Sequence, residues 1–392
     1  MQFELTVPNV VDRMVQEAVR QVLEPLYEPT FHDQSHGFRP NRSCHTAITQ
    51  ARKHVEDGYE FLVDLDLEKF FDRVHHQRLM ARLSERVQDR RVLVLFGQML
   101  KAKVVMPDGV KVSTEEGVPQ GGPLSPLLSN VVLDELDAEL ARRGHRFVRY
   151  ADDCNIYVRS ERAGQRVMAS VSRFIERRLR LKVNAAKSAV ARPEDRHFLG
   201  FRLRPTPLAD EVEVLLSKRS EDRLRDKVRE LTPRTWGRSL RTCIQGINAY
   251  VLGWTGFFGI CTEGIIQVLH GTDAHLRRRL RAIQLKQWKR RRTIARKLVS
   301  HGIRPVTAWR ETYKGHRSLW ALAGCLTVGR ALPPALFARR GLLSLEARWQ
   351  VAHAKFVVPR QLLLPGIGEV VNRPALGRAS SEAKPKVPKS RM

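Results

Sequence analysis

Two adjacent acidic residues interrupt an apolar run in RFVRYADDCNIYV, residues 146–158. The flanking segments, Arg146–Arg149 and Cys154–Val158, have the composition of β-strands, which predicts a hairpin with Asp152 and Asp153 at its turn. Carboxylates that lie so close together repel each other and need a counter-cation or a shifted pKa. Magnesium, which prefers oxygen ligands, would supply that charge. Adjacent aspartates are also common in exposed turns, so the pair alone does not establish a metal site.

A second acidic segment strengthens that interpretation. Apolar and acidic residues alternate in Phe61–Leu67, which predicts a strand with Asp64 and Asp66 on one face. Two strands with acidic ends, placed side by side, would hold two metal ions about 3.5–4 Å apart, the arrangement that catalyses in-line phosphoryl transfer. The alternation does not decide whether Asp64 or Asp66 is the ligand.

The chain of 392 residues is strongly basic, with 69 Lys and Arg, 41 Asp and Glu, and a formal net charge of +28. Residues 1–204 hold 33 basic and 28 acidic residues, whereas residues 205–392 hold 36 and 13. Most of the excess positive charge therefore lies in the second half. Such a balance indicates a polyanionic partner, either nucleic acid or an anionic membrane surface.

The basic excess is densest in Ala274–Arg310, which contains 13 Lys and Arg and no acidic residue. Leu276, Leu280 and Ile283 recur there at helical spacing, which predicts folded helices that present charge to a phosphate backbone. Binding to a membrane surface is the alternative and would need a free apolar face. The arginines predicted to contact phosphate are Arg277, Arg278, Arg281, Arg290, Arg291 and Arg292.

Several classes of protein are disfavoured by the sequence. No apolar run approaches the roughly 20 residues that span a bilayer, and the first residues lack the pattern of a secretory signal. We therefore expect a cytoplasmic protein with no membrane partner. The five cysteines form no CxxC pair, which argues against a zinc ribbon or a disulfide scaffold and predicts reduced thiols.

The predicted elements are mixed α/β in the first half and helical in the second. This order favours an α+β catalytic domain followed by helical binding domains. The expected elements are helices over Val10–Leu26, Phe70–Met99 and Gln165–Leu181, a hairpin over Lys103–Val112, a strand pair over Phe198–Leu203, and helices from Ser220 to about Arg348.

A resemblance to a known family rests on motifs in a fixed order. They are GFRPNRS at 37–43, GVPQGGPLSPLLSN at 117–130, YADD at 150–153, FLGF at 198–201, INAYVLGWTGFF at 247–258 and the basic helix 276–297. The set resembles the bacterial group II intron reverse transcriptase/maturase over about residues 5–350. The resemblance implies an α+β right-hand polymerase with partial fingers and a palm, followed by an all-α thumb/maturase domain. Because the match starts inside the family's first block and no nuclease module follows, the chain is identified as an N-terminally truncated, endonuclease-lacking member, and we expect weak polymerisation.

The resemblance also implies roles for single residues. The spacing of Asp66 to Phe70-Phe71-Asp72 matches the family's palm ligand. The implied catalytic residues are Asp66, Asp152 and Asp153, which also bind the metal ions together with Leu67, and Lys187, which acts as the general acid. The implied nucleotide contacts are Arg39, Arg42, Phe71, Gln120 and Gly121. The implied primer grip consists of Phe198, Leu199 and Gly200. Phe71 would act as a steric gate against the ribose 2′-OH. The plainer alternatives are a core phenylalanine at Phe71 and a surface lysine at Lys187.

The implied function is an RNA-directed DNA polymerase that copies intron RNA from a primer 3′-OH with two Mg²⁺ and assists group II intron splicing and mobility. The implied partners are intron RNA, which the six arginines named above would contact, an RNA template with a DNA primer, dNTPs and target DNA. The resemblance also implies a bacterial protein that is associated with the nucleoid when it is on DNA. The expected domains are partial fingers at 1–54, palm with the remaining finger elements at 55–204, thumb/maturase at 205–304, a small basic helical DNA-binding region at 305–350 and a largely disordered extension at 351–392.

Several alternatives stay open on the sequence alone. A domesticated or CRISPR-associated reverse transcriptase shares almost every motif. A catalytically weak RNA-binding splicing factor would use the same basic second half. Retron and diversity-generating types are less favoured, because the former lack the maturase-like block and the latter would have Ser-Gln in place of Ser125-Pro126. The maturase-like block also disfavours an RNA-dependent RNA polymerase.

Overall fold

The computed structural model describes residues 8–102, 104–105, 111–112, 116–118, 121–206, 211–233, 237–315 and 318–357. The strands are β1 Phe61–Leu65, β2 Val104–Val105, β3 Lys111–Val112, β4 Arg146–Tyr150, β5 Asp153–Val158, β6 Ala189–Ala191, β7 Phe201–Pro205 and β8 Val212–Leu216. The helices of the first half are α1 Val10–Tyr27, α2 Cys44–Glu56, α3 His76–Ser84, α4 Arg90–Leu100, α5 Ser125–Arg142 and α6 Glu161–Phe174. Those of the second half are α7 Lys218–Leu231, α8 Leu240–Phe257, α9 Ile266–Gln287, α10 Arg291–Ser300, α11 Pro305–Tyr313, α12 Leu319–Ala323, α13 Leu326–Ala331, α14 Pro334–Arg339 and α15 Leu345–His353.

A four-stranded antiparallel sheet in the order β4-β5-β1-β6 forms the centre of the first half. The predicted hairpin at residues 146–158 is confirmed, with Tyr150 paired to Asp153 across the turn. Side chains alternate between the two faces of the sheet, as its period of two requires. Val63 and Ile156 face a core with α5, and Leu62 and Tyr157 face a core with α2.

Two hydrophobic cores hold the molecule together. The first packs one face of the sheet against helices α3 to α6. The second includes the other face of the sheet, α2, the β7–β8 hairpin and the helices from α7 to α15. Because this second core crosses from the sheet into the helical half, burial of apolar surface joins the two halves.

Three predicted elements differ in detail from the structure. The helix expected over Phe70–Met99 is a 3₁₀ turn followed by α3 and α4, and Asp89 accepts a hydrogen bond from Arg91 N–H at the start of α4. The helix expected over Gln165–Leu181 is α6, which continues as a π-helical turn and ends at Arg180 with φ of 56°. The strand pair lies later than expected, because β7 pairs with β8 and Phe198 makes only an isolated bridge to Phe201.

The second half is helical, as its periodicity predicts. Within the described residues, no helix is both long and apolar enough to cross a membrane. All five cysteines are free, and three of them, Cys154, Cys243 and Cys261, are buried. The expected extension lies outside the described residues from 358 onward, as does the turn of the β2–β3 hairpin.

Candidate active site

The acidic residues of the two strands meet at one end of the sheet. In the register of β1 with β5, Leu65 lies opposite Cys154, so the next position along places Asp66 beside Asp153. The β4–β5 turn is tight, since Ala151 adopts a left-handed backbone with φ of 56°. Asp66, Asp152 and Asp153 are therefore brought together by strand pairing alone.

A segment that follows the sheet fixes Asp66 from the other side. Leu67 forms an antiparallel bridge with Val183, and Asn184 N–H donates to the Asp66 carbonyl at 2.8 Å. Ser188 Oγ accepts a hydrogen bond from Asp66 N–H at 3.0 Å. This segment also carries Lys187, whose Nζ lies 3.6 Å from Asp66 Oδ2. Lys187 thus belongs to the acidic cluster in space, and its exposed side chain is available to a ligand.

The structure distinguishes between Asp64, which lies within β1, and Asp66, which directly follows the strand. Asp64 Oδ2 accepts hydrogen bonds from Arg196 at 2.8 and 2.5 Å. Arg196 also donates to the Lys187 carbonyl, so this ion pair braces the segment that carries the lysine. Asp66, by contrast, faces Lys187 and the hairpin turn. The arrangement favours Asp66 as a ligand and Asp64 as a support.

Burial, followed by repulsion between carboxylates, determines the electrostatics of the cluster. Burial and the nearby Asp66 raise the pKa of Asp152. Desolvation of the Asp153 carboxyl group, followed by repulsion from Asp152, Asp64 and Asp66, raises its pKa to about 6, although the residue remains exposed. Concentrated negative charge of this kind attracts a cation, and a donor set of oxygens alone suits Mg²⁺. Within the described part of the chain, no group of three His, Cys, Asp or Glu is positioned to hold a metal ion by itself.

Arg149 holds the β4–β5 hairpin in place, a role that the sequence did not suggest. Its side chain is fully buried and forms an ion pair with Asp137 at 2.5 Å. It also donates to Asn130 Oδ1, Ser35 Oγ and the Ala151 carbonyl at 3.0, 2.7 and 2.8 Å. One guanidinium therefore links the hairpin turn to α5 and to the loop before α2. The available signal was a charged residue that directly follows the apolar Phe147 and Val148 of the strand.

The GFRPNRS loop packs directly against that turn. Gly37 lies so close that a Cβ built on it would be 2.2 Å from Ala151 N. Arg39, expected to contact a triphosphate, is buried, pairs with Glu28 at 2.8 Å and donates to the His32 and Ser35 carbonyls. These interactions indicate that Arg39 supports the loop. Arg42 is more accessible and pairs at 2.7 Å with an exposed aspartate, Asp33.

The expected nucleotide-binding loop lies beside Phe71. Val118 N–H donates to the Phe71 carbonyl at 2.7 Å, and Gly117 has a positive φ of 98° in close contact with the same carbonyl. Phe71 is half-buried, and its ring packs edge-on against Phe70. Gly121 is described with φ of 85°, whereas Gln120 lies outside the described residues.

The expected primer grip is a tight turn before β7. Leu199 and Gly200 both have positive φ, at 54° and 89°, and Phe198 is buried. The Gly200 carbonyl accepts hydrogen bonds from Ser217 N–H and Ser220 Oγ, at 3.0 and 2.8 Å. The turn is thus fastened to the start of α7.

The six arginines expected to contact RNA fall into two groups. Arg278 lies over the Trp320 ring at 4.1 Å, Arg281 donates to the Leu332 carbonyl and Arg291 to the Thr312 carbonyl, so these three pack helices together. Arg277 is half-buried. Arg290 and Arg292 are exposed, and exposed cations that the prediction omitted lie beside them: Lys286, Lys289, Arg296 and Lys297.

Comparison with known proteins identifies the family. Residues 2–203 match the family model described as reverse transcriptase (RNA-dependent DNA polymerase). The chain belongs to the reverse transcriptase family. Residues 222–299 match the group II intron maturase-specific domain, which confirms the resemblance to group II intron reverse transcriptase/maturases.

Relatives of this reverse transcriptase include intron-encoded proteins. It is 33% identical over 238 residues to Protein YkfC of Escherichia coli, covering 51% of this chain and 62% of that protein. It is 39% identical over 145 residues to the group II intron-encoded protein LtrA of Lactococcus lactis, covering 37% of this chain and 24% of that protein. The matched regions thus span less than two thirds of either relative. Apo telomerase from Candida tropicalis is more distant, with a TM-score of 0.44 and 10% identity over 89% of this chain and 60% of that one.

Proposed function

We propose that the chain is an RNA-directed DNA polymerase that extends a primer 3′-OH along an RNA template with two Mg²⁺. The observation that carries this proposal is the meeting of Asp66 with Asp152 and Asp153 at one end of the sheet. Burial and repulsion from neighbouring carboxylates raise the pKa values of Asp152 and Asp153, and divalent cations would offset both effects.

The protein's own groups have separate tasks in this mechanism. Asp66, the Leu67 carbonyl, Asp152 and Asp153 would hold the two ions, which when bound activate the primer hydroxyl and stabilise the leaving oxygen. Lys187, 3.6 Å from Asp66, would donate a proton to the departing pyrophosphate. Phe71 would exclude the ribose 2′-OH.

Substrate contacts would come from the neighbouring loops. Arg42 is the proposed triphosphate contact, because the donors of Arg39 are engaged within the protein. Gln120 and Gly121 would line the incoming dNTP. The turn at Phe198, Leu199 and Gly200 would support the primer strand, since it is fastened to both the palm sheet and α7.

The helical half would bind intron RNA and assist its splicing. Support comes from the maturase-specific match at 222–299 and from the exposed cations of α9 and α10. Cations that contact phosphates release bound counterions, which provides affinity without sequence recognition. We further propose target DNA as the partner of residues 305–350.

Primer extension tests the proposal. The full chain is incubated with a DNA primer annealed to an RNA template, dNTPs and Mg²⁺. We expect a DNA product complementary to the template, which disappears when EDTA replaces Mg²⁺. If the chain binds the template tightly but synthesises no DNA over a range of Mg²⁺ concentrations, the polymerase assignment is wrong and the RNA-binding splicing factor is favoured.

A further inference from the structure

Helix α11, Pro305–Tyr313, exposes an aromatic pair on the surface. Trp309 is 38% exposed and Tyr313 is 51% exposed. Their rings stack with centroids 5.7 Å apart and planes only 9° from parallel. The adjacent side of the helix is buried through Ala308 and Thr312. The pair therefore lies on a helix that is anchored in the core, and it needs no rearrangement to meet a partner.

Positive charge surrounds this aromatic face. Helical periodicity places Arg310 between Val306 and Tyr313, and Arg304 and Lys314 are exposed at the two ends of α11. The acidic residue of the helix, Glu311, lies 3.8 Å from Arg310. The surface thus combines stacked rings with an excess of cations.

Helix α10 packs against α11 and carries further positive charge. Arg291 Nη1 donates to the Thr312 carbonyl at 2.6 Å, which joins the start of α10 to the end of α11. Arg292, Arg296 and Lys297 are exposed, and no ion pair found among the described residues involves them. Because these three cations have no acidic partner in the described part of the chain, they are available to bind phosphates.

We propose that the Trp309–Tyr313 pair is a base-stacking platform for an unpaired segment of RNA, whose backbone follows the cations of α10. Aromatic rings beside a basic track are the combination that binds single strands, because every base has a face to stack and every nucleotide a phosphate. An apolar protein partner fits less well, since it would have to desolvate the surrounding charges. The choice of RNA as ligand rests on the function proposed for the adjoining maturase domain, and it assigns α11 to RNA while target DNA is left to the rest of residues 305–350.

The test compares a Trp309→Ala, Tyr313→Ala double variant with the wild-type full chain. Binding to an unstructured 12-nucleotide RNA and to a fully paired RNA duplex is measured by fluorescence anisotropy over a range of salt concentrations. We expect about tenfold weaker single-strand binding for each base that loses its stacking partner. Duplex affinity and the slope of single-strand binding against salt should not change, because the phosphate contacts remain.

Controls separate stacking from folding and from catalysis. Trp309→Phe keeps a ring and should retain most of the single-strand affinity, and Val306→Ala on the same face should have no effect. Primer extension at saturating template should be unaffected by the double variant, so failure of the platform is distinct from failure of the polymerase assignment.

Four results would overturn the proposal. The first is that the double variant binds single-stranded RNA as tightly as the wild type, and the second is that it loses as much affinity for duplex RNA as for single-stranded RNA. The third is that it loses affinity only for single-stranded DNA. The fourth is that its oligomeric state or its binding to anionic vesicles changes while its RNA binding does not.

Discussion

Gly37 shows how a single residue outside the acidic cluster controls its shape. A Cβ at this position would be 2.2 Å from Ala151 N and 2.9 Å from the Tyr150 carbonyl carbon, both backbone atoms of the β4–β5 turn. Neither atom can move without displacing Asp152. The fixed approach of the two backbones is a physical reason for glycine here.

We therefore expect Gly37→Ala to reduce primer extension at least tenfold while RNA affinity stays near the wild-type value. The matched control is Gly97→Ala in α4, where a Cβ would meet no atom within 4 Å. That control should retain activity and, as a helix-interior glycine replaced by alanine, should unfold at an equal or higher temperature. Wild-type extension rates by Gly37→Ala would show that the turn tolerates displacement.

Phe71 is expected to set the choice of sugar. Its ring lies next to the loop at Gly117 and Val118, where the nucleotide is proposed to enter. Phe71→Val should lower the preference for dNTPs over rNTPs by about tenfold or more, because the obstruction to the 2′-OH is removed, whereas Phe71→Tyr should preserve it. Single-nucleotide incorporation with each substrate measures the ratio. If the ratio of dNTP to rNTP incorporation is the same in the wild type and in Phe71→Val, Phe71 contributes only to packing.

Asp153 links the stability of the protein to pH and to Mg²⁺. Its pKa is raised to about 6 in the folded protein, so the folded state binds more protons than the unfolded state between about pH 4 and pH 6. Ionised Asp153 therefore opposes folding fully above pH 6, and this effect fades as the pH falls through 6 towards 4.

Asp153→Asn should consequently melt a few degrees higher than the wild type at pH 7.5 without metal, and the difference should narrow at pH 5. Mg²⁺ should raise the wild-type melting temperature more than that of the variant. Asp195→Asn, an exposed aspartate outside the cluster, serves as the control. If Asp153→Asn melts at or below the wild-type temperature at pH 7.5, ionised Asp153 does not oppose folding as assigned.

At the scale of elements, α9 and α10 divide their arginines between packing and exposure. The periodicity of apolar residues predicted the helices correctly, but the sequence analysis took most of the arginines to be exposed and able to contact phosphate. A one-dimensional pattern does not show that Arg278 covers Trp320 or that Arg281 reaches the Leu332 carbonyl, since both partners lie on other segments of the helical half. Long basic side chains contribute to packing through their stems and donors.

Two triple variants separate the two groups. Arg290→Gln, Arg292→Gln, Arg296→Gln should flatten the log–log salt dependence of RNA binding by about two to three units, at roughly 0.7–0.9 for each lost phosphate contact. Arg278→Gln, Arg281→Gln, Arg291→Gln should instead lower the melting temperature. Equal salt slopes for the first variant and the wild type would show that the exposed arginines do not contact RNA.

The remaining differences at this scale arise from local geometry. The hairpin at 146–158 and the strand at Phe61–Leu65 were predictable, because alternation of side chains is a local property. The break between α3 and α4 was not, since the apolar pattern of the two helices runs on across the cap at Asp89. The position of β8 depends on pairing with β7, which is a contact between separate segments.

Across the whole molecule, the sequence located the acidic cluster but not the structure that supports it. Alternation left Asp64 and Asp66 equivalent, and family spacing was needed to choose between them. The Arg196 ion pair with Asp64 gives an independent reason for the same choice. Arg149 could not be assigned from sequence, because its partners Asp137, Asn130 and Ser35 come together only in the folded chain.

The central claim is that Asp66 and Asp152 hold the ions that drive nucleotide addition, and one measurement tests it most directly. Single-turnover incorporation of one dNTP is measured for Asp66→Asn, Asp152→Asn and the control Asp195→Asn over a range of Mg²⁺ concentrations, with RNA affinity recorded for each. We expect a fall of about a thousandfold or more for the first two, because several kcal/mol of metal stabilisation are lost, with RNA affinity unchanged and the control unaffected. Wild-type incorporation by Asp152→Asn or Asp66→Asn in Mg²⁺ would contradict the claim.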